Sequence, residues 1–151
     1  MSRWRPSVTV AAVIERDGRF LFVEEIASGL RVLNQPAGHL DPGESLVQAV
    51  ARETLEETAH RFTPTALLGI YRWRYDKEED VTFLRFAFRG RVDGVEAGRT
   101  LDKEIVAAVW LTPAELAARR AEHRSPLVQQ CVDDYLAGRS FPLEVLSKAY
   151  G

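Results

Sequence analysis

The chain has 151 residues, 46% of them hydrophobic and 28% charged, with a formal net charge of −2. That length fits one domain, 1–151, able to bury roughly two-thirds of its unfolded surface, and the composition is ordinary for a soluble globular protein. The charge argues against a nucleic-acid backbone as the main partner, which would need a basic face.

Val8 to Glu15 is rich in β-formers. This apolar run follows Arg3 and Arg5 as in a signal peptide, but it is too short and is cut off by Glu15-Arg16-Asp17. No stretch approaches a membrane span, so the expected location is cytoplasmic, with no membrane partner. Asp17-Gly18 is a favoured two-residue hairpin turn leading to a second strand, Phe20 to Ile26. Ser28-Gly29 marks another turn, and Arg31 to Gln35 a short third strand. Pro36-Ala37-Gly38 breaks that strand, Pro42-Gly43 turns the chain again, and a helix begins at Glu44 or Ser45.

Ser45 to Ala59 contains no Pro or Gly, and helix formers dominate it. At about 100° per residue, Glu53, Glu56 and Glu57 fall within an arc of roughly 100°. Val47, Ala51, Thr54, Leu55 and Thr58 form the side expected to pack on a sheet. Like charges one turn apart destabilise an isolated helix, yet hard divalent cations want several oxygen ligands, and Mg²⁺ joins a few carboxylates to substrate phosphates. Arg52 can neutralise part of the cluster, and Glu44 either caps the helix or pairs with Arg52.

Beyond the helix, Pro64 precedes a strand from Ala66 to Tyr75, and Asp76 to Asp80 turns the chain into Val81 to Val92, with Arg72, Arg74, Arg85 and Arg89 among the polar residues. Ile105 to Leu111 is a further strand. Thr112-Pro113-Ala114-Glu115 has the form of a capped helix start. Ser125-Pro126 opens a last helix that stops near Gly138; it carries Cys131, which reads as a buried structural thiol. This order gives an α+β or three-layer α/β/α architecture with a mixed sheet.

Gly38, five residues, Glu44, seven residues, Arg52-Glu53, two residues, Glu56-Glu57 resembles the box of the Nudix hydrolases, with Thr54, Ala59 and His60 departing at positions for an aliphatic residue, glycine and an aliphatic residue. The resemblance implies an α/β/α sandwich around a mixed, partly curled sheet. It also implies hydrolysis of a phosphoanhydride with Mg²⁺ or Mn²⁺ as cofactor. By that resemblance Glu53, Glu56 and Glu57, with the Ala37 carbonyl, are metal ligands; Glu44, Arg52 and Gly38 hold those ligands in place; and Glu53 or Glu104 takes the proton of the attacking water, with Glu56 also in the catalytic set. His39, Trp73 and Arg74 are candidates for contacting substrate. Asn34-Gln35-Pro36-Ala37-Gly38-His39-Leu40, Arg124-Ser125-Pro126-Leu127-Val128, Tyr135, Gly138 and Pro142-Leu143-Glu144 resemble the NudJ-type phosphatase branch. That branch implies phosphate release from nucleoside tri- and diphosphates, and action on thiamine pyrophosphate and hydroxymethylpyrimidine pyrophosphate, by a monomer or homodimer. The rival readings are a nucleotide pyrophosphatase acting on dNTP, ADP-ribose or dinucleotide substrates, and a non-catalytic nucleotide sensor.

Overall fold

The apolar run near the N-terminus becomes the strand on which the sheet is built. In the computed structural model, which describes residues 2–77 and 79–147, the chain runs β1 (Ser7–Arg16), β2 (Arg19–Ala27), β3 (Leu30–Asn34), β4 (Ala37–His39), α1 (Leu46–Thr58), β5 (His60–Tyr75), β6 (Val81–Val95), β7 (Ile105–Leu111), α2 (Pro113–Ala118) and α3 (Leu127–Leu136), with short 3-10 turns at Arg120–Glu122 and Leu143–Val145. Val10 to Ile14 of β1 are each at most 1% exposed. Side chains alternate across a strand, so burial of consecutive residues requires a layer on each face. Ala11 and Val13 enter a core with Phe20, Phe22, Leu68, Ala87, Leu116, Val128 and Val132. Val10, Ala12 and Ile14 enter the opposite core with Leu21, Ala49, Val50, Leu67 and Phe88. α1 thus covers one face, and α2 with α3 cover the other.

The sheet is mixed. β1 runs parallel to β6, from Ser7 opposite Phe83 to Ile14 opposite Gly90, and antiparallel to β4 on its other edge. β6 continues into antiparallel β5. β2 meets β1 only at Glu15–Phe20 and Arg16–Arg19, then diverges to lie between β3 and β7. The hairpin turns have the left-handed backbone their residues tolerate: φ is 53° and 79° at Asp17-Gly18, and 50° and 76° at Ser28-Gly29. Ser45 and Thr112 each cap a helix through a reciprocal capping box, with Gln48 and Glu115 respectively. No helix among the described residues is long and apolar enough to cross a membrane.

Three expectations are corrected. β5 begins at His60, directly after α1, not beyond Pro64. The pairing with β6 shifts register on either side of Pro64, which faces Gly90, and a Cβ on Gly90 would stand 2.1 Å from the Thr63 carbonyl oxygen. A local bulge and a glycine partner let the strand run through a residue that lacks an N–H. β6 likewise extends to Val95. The buried face of α1 is Ala49, Val50, Glu53, Thr54, Glu57 and Thr58, rotated from the expected one. Glu53 and Glu57 lie along the edge of the packed stripe because polar partners beside β4 satisfy them there. Thr54 and Thr58 satisfy their hydroxyls within the helix, donating to the Val50 and Thr54 carbonyls at 2.7 Å each.

Candidate active site

Arg52 organises the entrance of α1. Its Nε and Nη2 donate to both oxygens of Glu44, at 2.9 and 2.6 Å, a bidentate pair. Nη2 also reaches the His39 carbonyl at 3.0 Å, and Nη1 donates to Glu53 at 2.7 Å and, at 3.4 Å, to Glu56. Glu44 accepts the Asp41 N–H in turn, at 2.9 Å. This network, with the Arg52 hydrogen bond foremost, holds the Glu44 carboxyl below its ordinary range. The loop before the helix is therefore tied to the helix by one guanidinium. On the other side, the Glu53 carboxylate lies against Gly38, where a Cβ would stand 2.2 Å from Glu53 Cδ.

Glu53 and Glu56 are joined by Asp102, from the loop before β7, and ligand oxygens of the three lie within 4.8 Å of one another. Burial, opposed by Arg52, raises the Glu53 carboxyl above its usual range; Asp102 is raised by burial and then by Glu56 and Glu104. The Asp102 N–H donates to the Glu56 carbonyl at 3.1 Å, fixing the loop to the helix. Glu57 takes a different position. It accepts the Ala37 N–H at 2.9 Å and is 7% exposed, and burial pushes its carboxyl up to about 9, with Glu25, Glu53 and Asp102 adding to the rise. Packed carboxyls whose charged forms are disfavoured by burial and by one another fit a hard divalent cation, whose charge would favour those forms.

Glu53, Glu57 and Glu104 line a cleft of about 540 Å³ whose wall also includes Ala37, Gly38, His39 and Trp73. Ala37 sits in β4 opposite Ala11, and His39 is exposed at the end of that strand. Trp73 stacks on Phe83 with ring centroids 5.9 Å apart. Arg74 lies elsewhere: it is exposed, pairs with Asp80 at 2.8 Å, and borders a separate depression with Tyr75 and Gln130. Glu104 lines the cleft but stands outside the carboxylate trio, whose third member, Asp102, comes from the same segment, Asp102-Lys103-Glu104. Two further residues of the wall have no motif to announce them. Glu25 is buried beside a register shift in β2 and pairs with Arg124 at 2.8 Å. Arg85 is 6% exposed, although alternation in an isolated hairpin leaves it as readily on a solvated face.

The model of the NUDIX domain matches residues 3–131. The chain belongs to the Nudix family. It is 36% identical over 143 residues to the Phosphatase NudJ of Shigella boydii and to that of Escherichia coli K12, covering 95% of this chain and 92% of each relative. A NUDIX hydrolase from Nitrosomonas europaea superposes with a TM-score of 0.93 at 51% identity, covering 97% of this chain and 99% of that one. The protein is accordingly a Nudix hydrolase acting on pyrophosphate bonds. Its departures from the Nudix box are absorbed locally. Ala59 takes the left-handed helix exit at φ 59°, ψ 13° and donates its N–H to the Leu55 carbonyl. His60 is buried, with Nδ1 2.7 Å from the Thr58 carbonyl and its ring edge-on to Trp110.

Proposed function

We propose that this Nudix hydrolase is a Mg²⁺-dependent phosphatase, with Mn²⁺ as a substitute, that releases orthophosphate from nucleoside tri- and diphosphates and acts on thiamine pyrophosphate and hydroxymethylpyrimidine pyrophosphate. The observation that carries the reading is the Glu53–Glu56–Asp102 trio, whose Glu53 lines a cleft that has the stacked Trp73–Phe83 pair in its wall. The likeness to curated NudJ phosphatases over 95% of the chain favours phosphate release over other Nudix reactions. The protein is taken to work in the cytoplasm as one domain over 1–151, alone or as a homodimer.

Glu53, Glu56 and Asp102 would hold the cation, with Glu57 and the Ala37 backbone beside them. When bound, a divalent ion offsets phosphoryl charge and polarises the bond to be cut. Arg52 orients Glu53 and Glu56 and keeps Glu44 and the preceding loop in place. Glu104, on the cleft wall but outside the trio, accepts the proton of the attacking water. The Trp73 and Phe83 rings provide an apolar face for the organic part of the substrate.

The test is product analysis with Mg²⁺ and GTP, GDP, ADP-ribose, thiamine pyrophosphate and hydroxymethylpyrimidine pyrophosphate. Orthophosphate from GTP, GDP and the two vitamin-type substrates is expected. Pyrophosphate from GTP, or turnover of ADP-ribose alone, would replace the phosphatase with a nucleotide pyrophosphatase. Metal binding without turnover would leave a nucleotide sensor.

A further inference from the structure

Arg85 is a buried cation with no carboxylate partner among the described residues. Its Nη1 donates to Gln35 Oε1 and its Nη2 to Asn34 Oδ1, both at 2.9 Å, and both acceptors are neutral. Gln35 is anchored in turn, donating to the Val128 carbonyl at 2.8 Å. Because the Asn34 oxygen is occupied by Arg85, its amide nitrogen is left as a donor. Arg85 and Asn34 both line the cleft, so its wall there offers hydrogen-bond donors and a positive charge. Burying a guanidinium without a counter-charge is costly, and an anion entering from the cleft would remove that cost.

The sheet register places this cation. His39, Thr9 and Arg85 lie opposite one another on β4, β1 and β6. At about 4.8 Å per strand, Arg85 stands about 10 Å across the sheet from His39, beside the acids. Phe83 is two residues along the same strand and the same face, about 7 Å further on, opposite Trp73. Carboxylates, cation and aromatic pair therefore follow one another along the cleft.

We propose that Arg85, supported by Asn34, binds the phosphoryl group next to the terminal one and so decides which bond is cut. This rests on the orthophosphate-releasing reading above. With that phosphoryl held at Arg85, the terminal one lies at the acids in both a tri- and a diphosphate. Water oxygen bonds to the terminal phosphorus, the bond from that phosphorus to its bridging oxygen breaks, and the bridging oxygen leaves on the retained phosphoryl. The water proton goes to a cleft carboxylate.

The experiment measures KM, kcat and the ratio of orthophosphate to pyrophosphate released from GTP and GDP, for wild type, R85Q and N34D, each with a melting curve. N34D places a carboxylate against Arg85 at nearly unchanged volume; it pairs off the cation without removing it and tests the idea even where R85Q fails to fold. Both folded variants are expected to raise KM at least tenfold, and to release a larger share of pyrophosphate from GTP, while N34D melts no lower than wild type. Wild-type KM and product ratio in a folded N34D would overturn the role of Arg85. Pyrophosphate as the sole wild-type product from GTP would instead overturn the phosphatase reading on which it stands.

Discussion

Glu57 shows how burial sets the chemistry of a single carboxyl. With its carboxyl pushed from an ordinary 4.5 to about 9, it is protonated at neutral pH in the metal-free protein. A folded-state value above the unfolded one means that the stabilising contribution is complete below pH 4.5 and is lost as pH rises towards 9. Metal-free protein should therefore show a urea midpoint that falls between pH 5 and 9, roughly, and E57Q should flatten that slope. A divalent ion needs the charged form, so its affinity should climb over the same interval, and E57Q should lose metal-dependent turnover while keeping its fold. Unchanged turnover in E57Q would remove Glu57 from the site. For Gly38 the expectation is geometric. A methyl group 2.2 Å from Glu53 Cδ must displace that carboxylate, so G38A should lose activity about 10²-fold or more with a small change in melting temperature. E104Q should lower kcat by about 10² or more and leave metal affinity, read by calorimetry, near wild type, as removal of a general base does. A loss confined to metal affinity would make Glu104 a ligand instead.

At the scale of the helix, the site depends on where α1 stops and which way it rolls. Ala59 holds a left-handed exit at φ 59°, a conformation that costs a non-glycine residue about 1–2 kcal/mol. A59G should stabilise the protein by about 0.5–1 kcal/mol after allowing for the lost methyl, measured by denaturant midpoint at constant m-value. A destabilised A59G would mean that the methyl packs better than the backbone is strained. The spacing of Glu53, Glu56 and Glu57 was enough to anticipate a charged arc on one side of α1. It could not give the roll of the helix, because that depends on the Ala37 N–H and on Arg52, partners 20 residues before Glu57 and one before Glu53. Nor could it separate Asp102 from Glu104: both are loop acids in one triplet, and the contact that selects Asp102 is its own N–H on the Glu56 carbonyl. Arg85 could be read as a phosphate contact or as a solvated strand residue; its burial against Asn34, Gln35 and Cys131 could not be read, because they come from β3, its exit and α3.

For the whole molecule, most strands, the Thr112 capping box and the mixed sheet could be read from apolar runs, Gly-containing turns and the Thr-Pro-Ala-Glu start. What could not be read was the divergence of β1 from β2, which share two residue pairs at the turn before joining different neighbours. A hairpin signal predicts the turn and says nothing about whether the strands remain together beyond it. β1 instead takes a parallel partner about 75 residues later in the chain, Val8 opposite Leu84. That pairing has a consequence for synthesis. A nascent chain halted before Val81 would hold Val10–Ile14 with one edge unpaired and Phe88, one of two phenylalanines buried in the α1-face core, not yet made. Edge-exposed apolar strands pair readily with copies of themselves. Polypeptides ending near residue 80 should sediment as aggregates, and those that include β6 should remain in the supernatant. The order of emergence from the ribosome thus leaves the apolar centre of β1 waiting for its parallel partner, an interval in which a chaperone has something to hold.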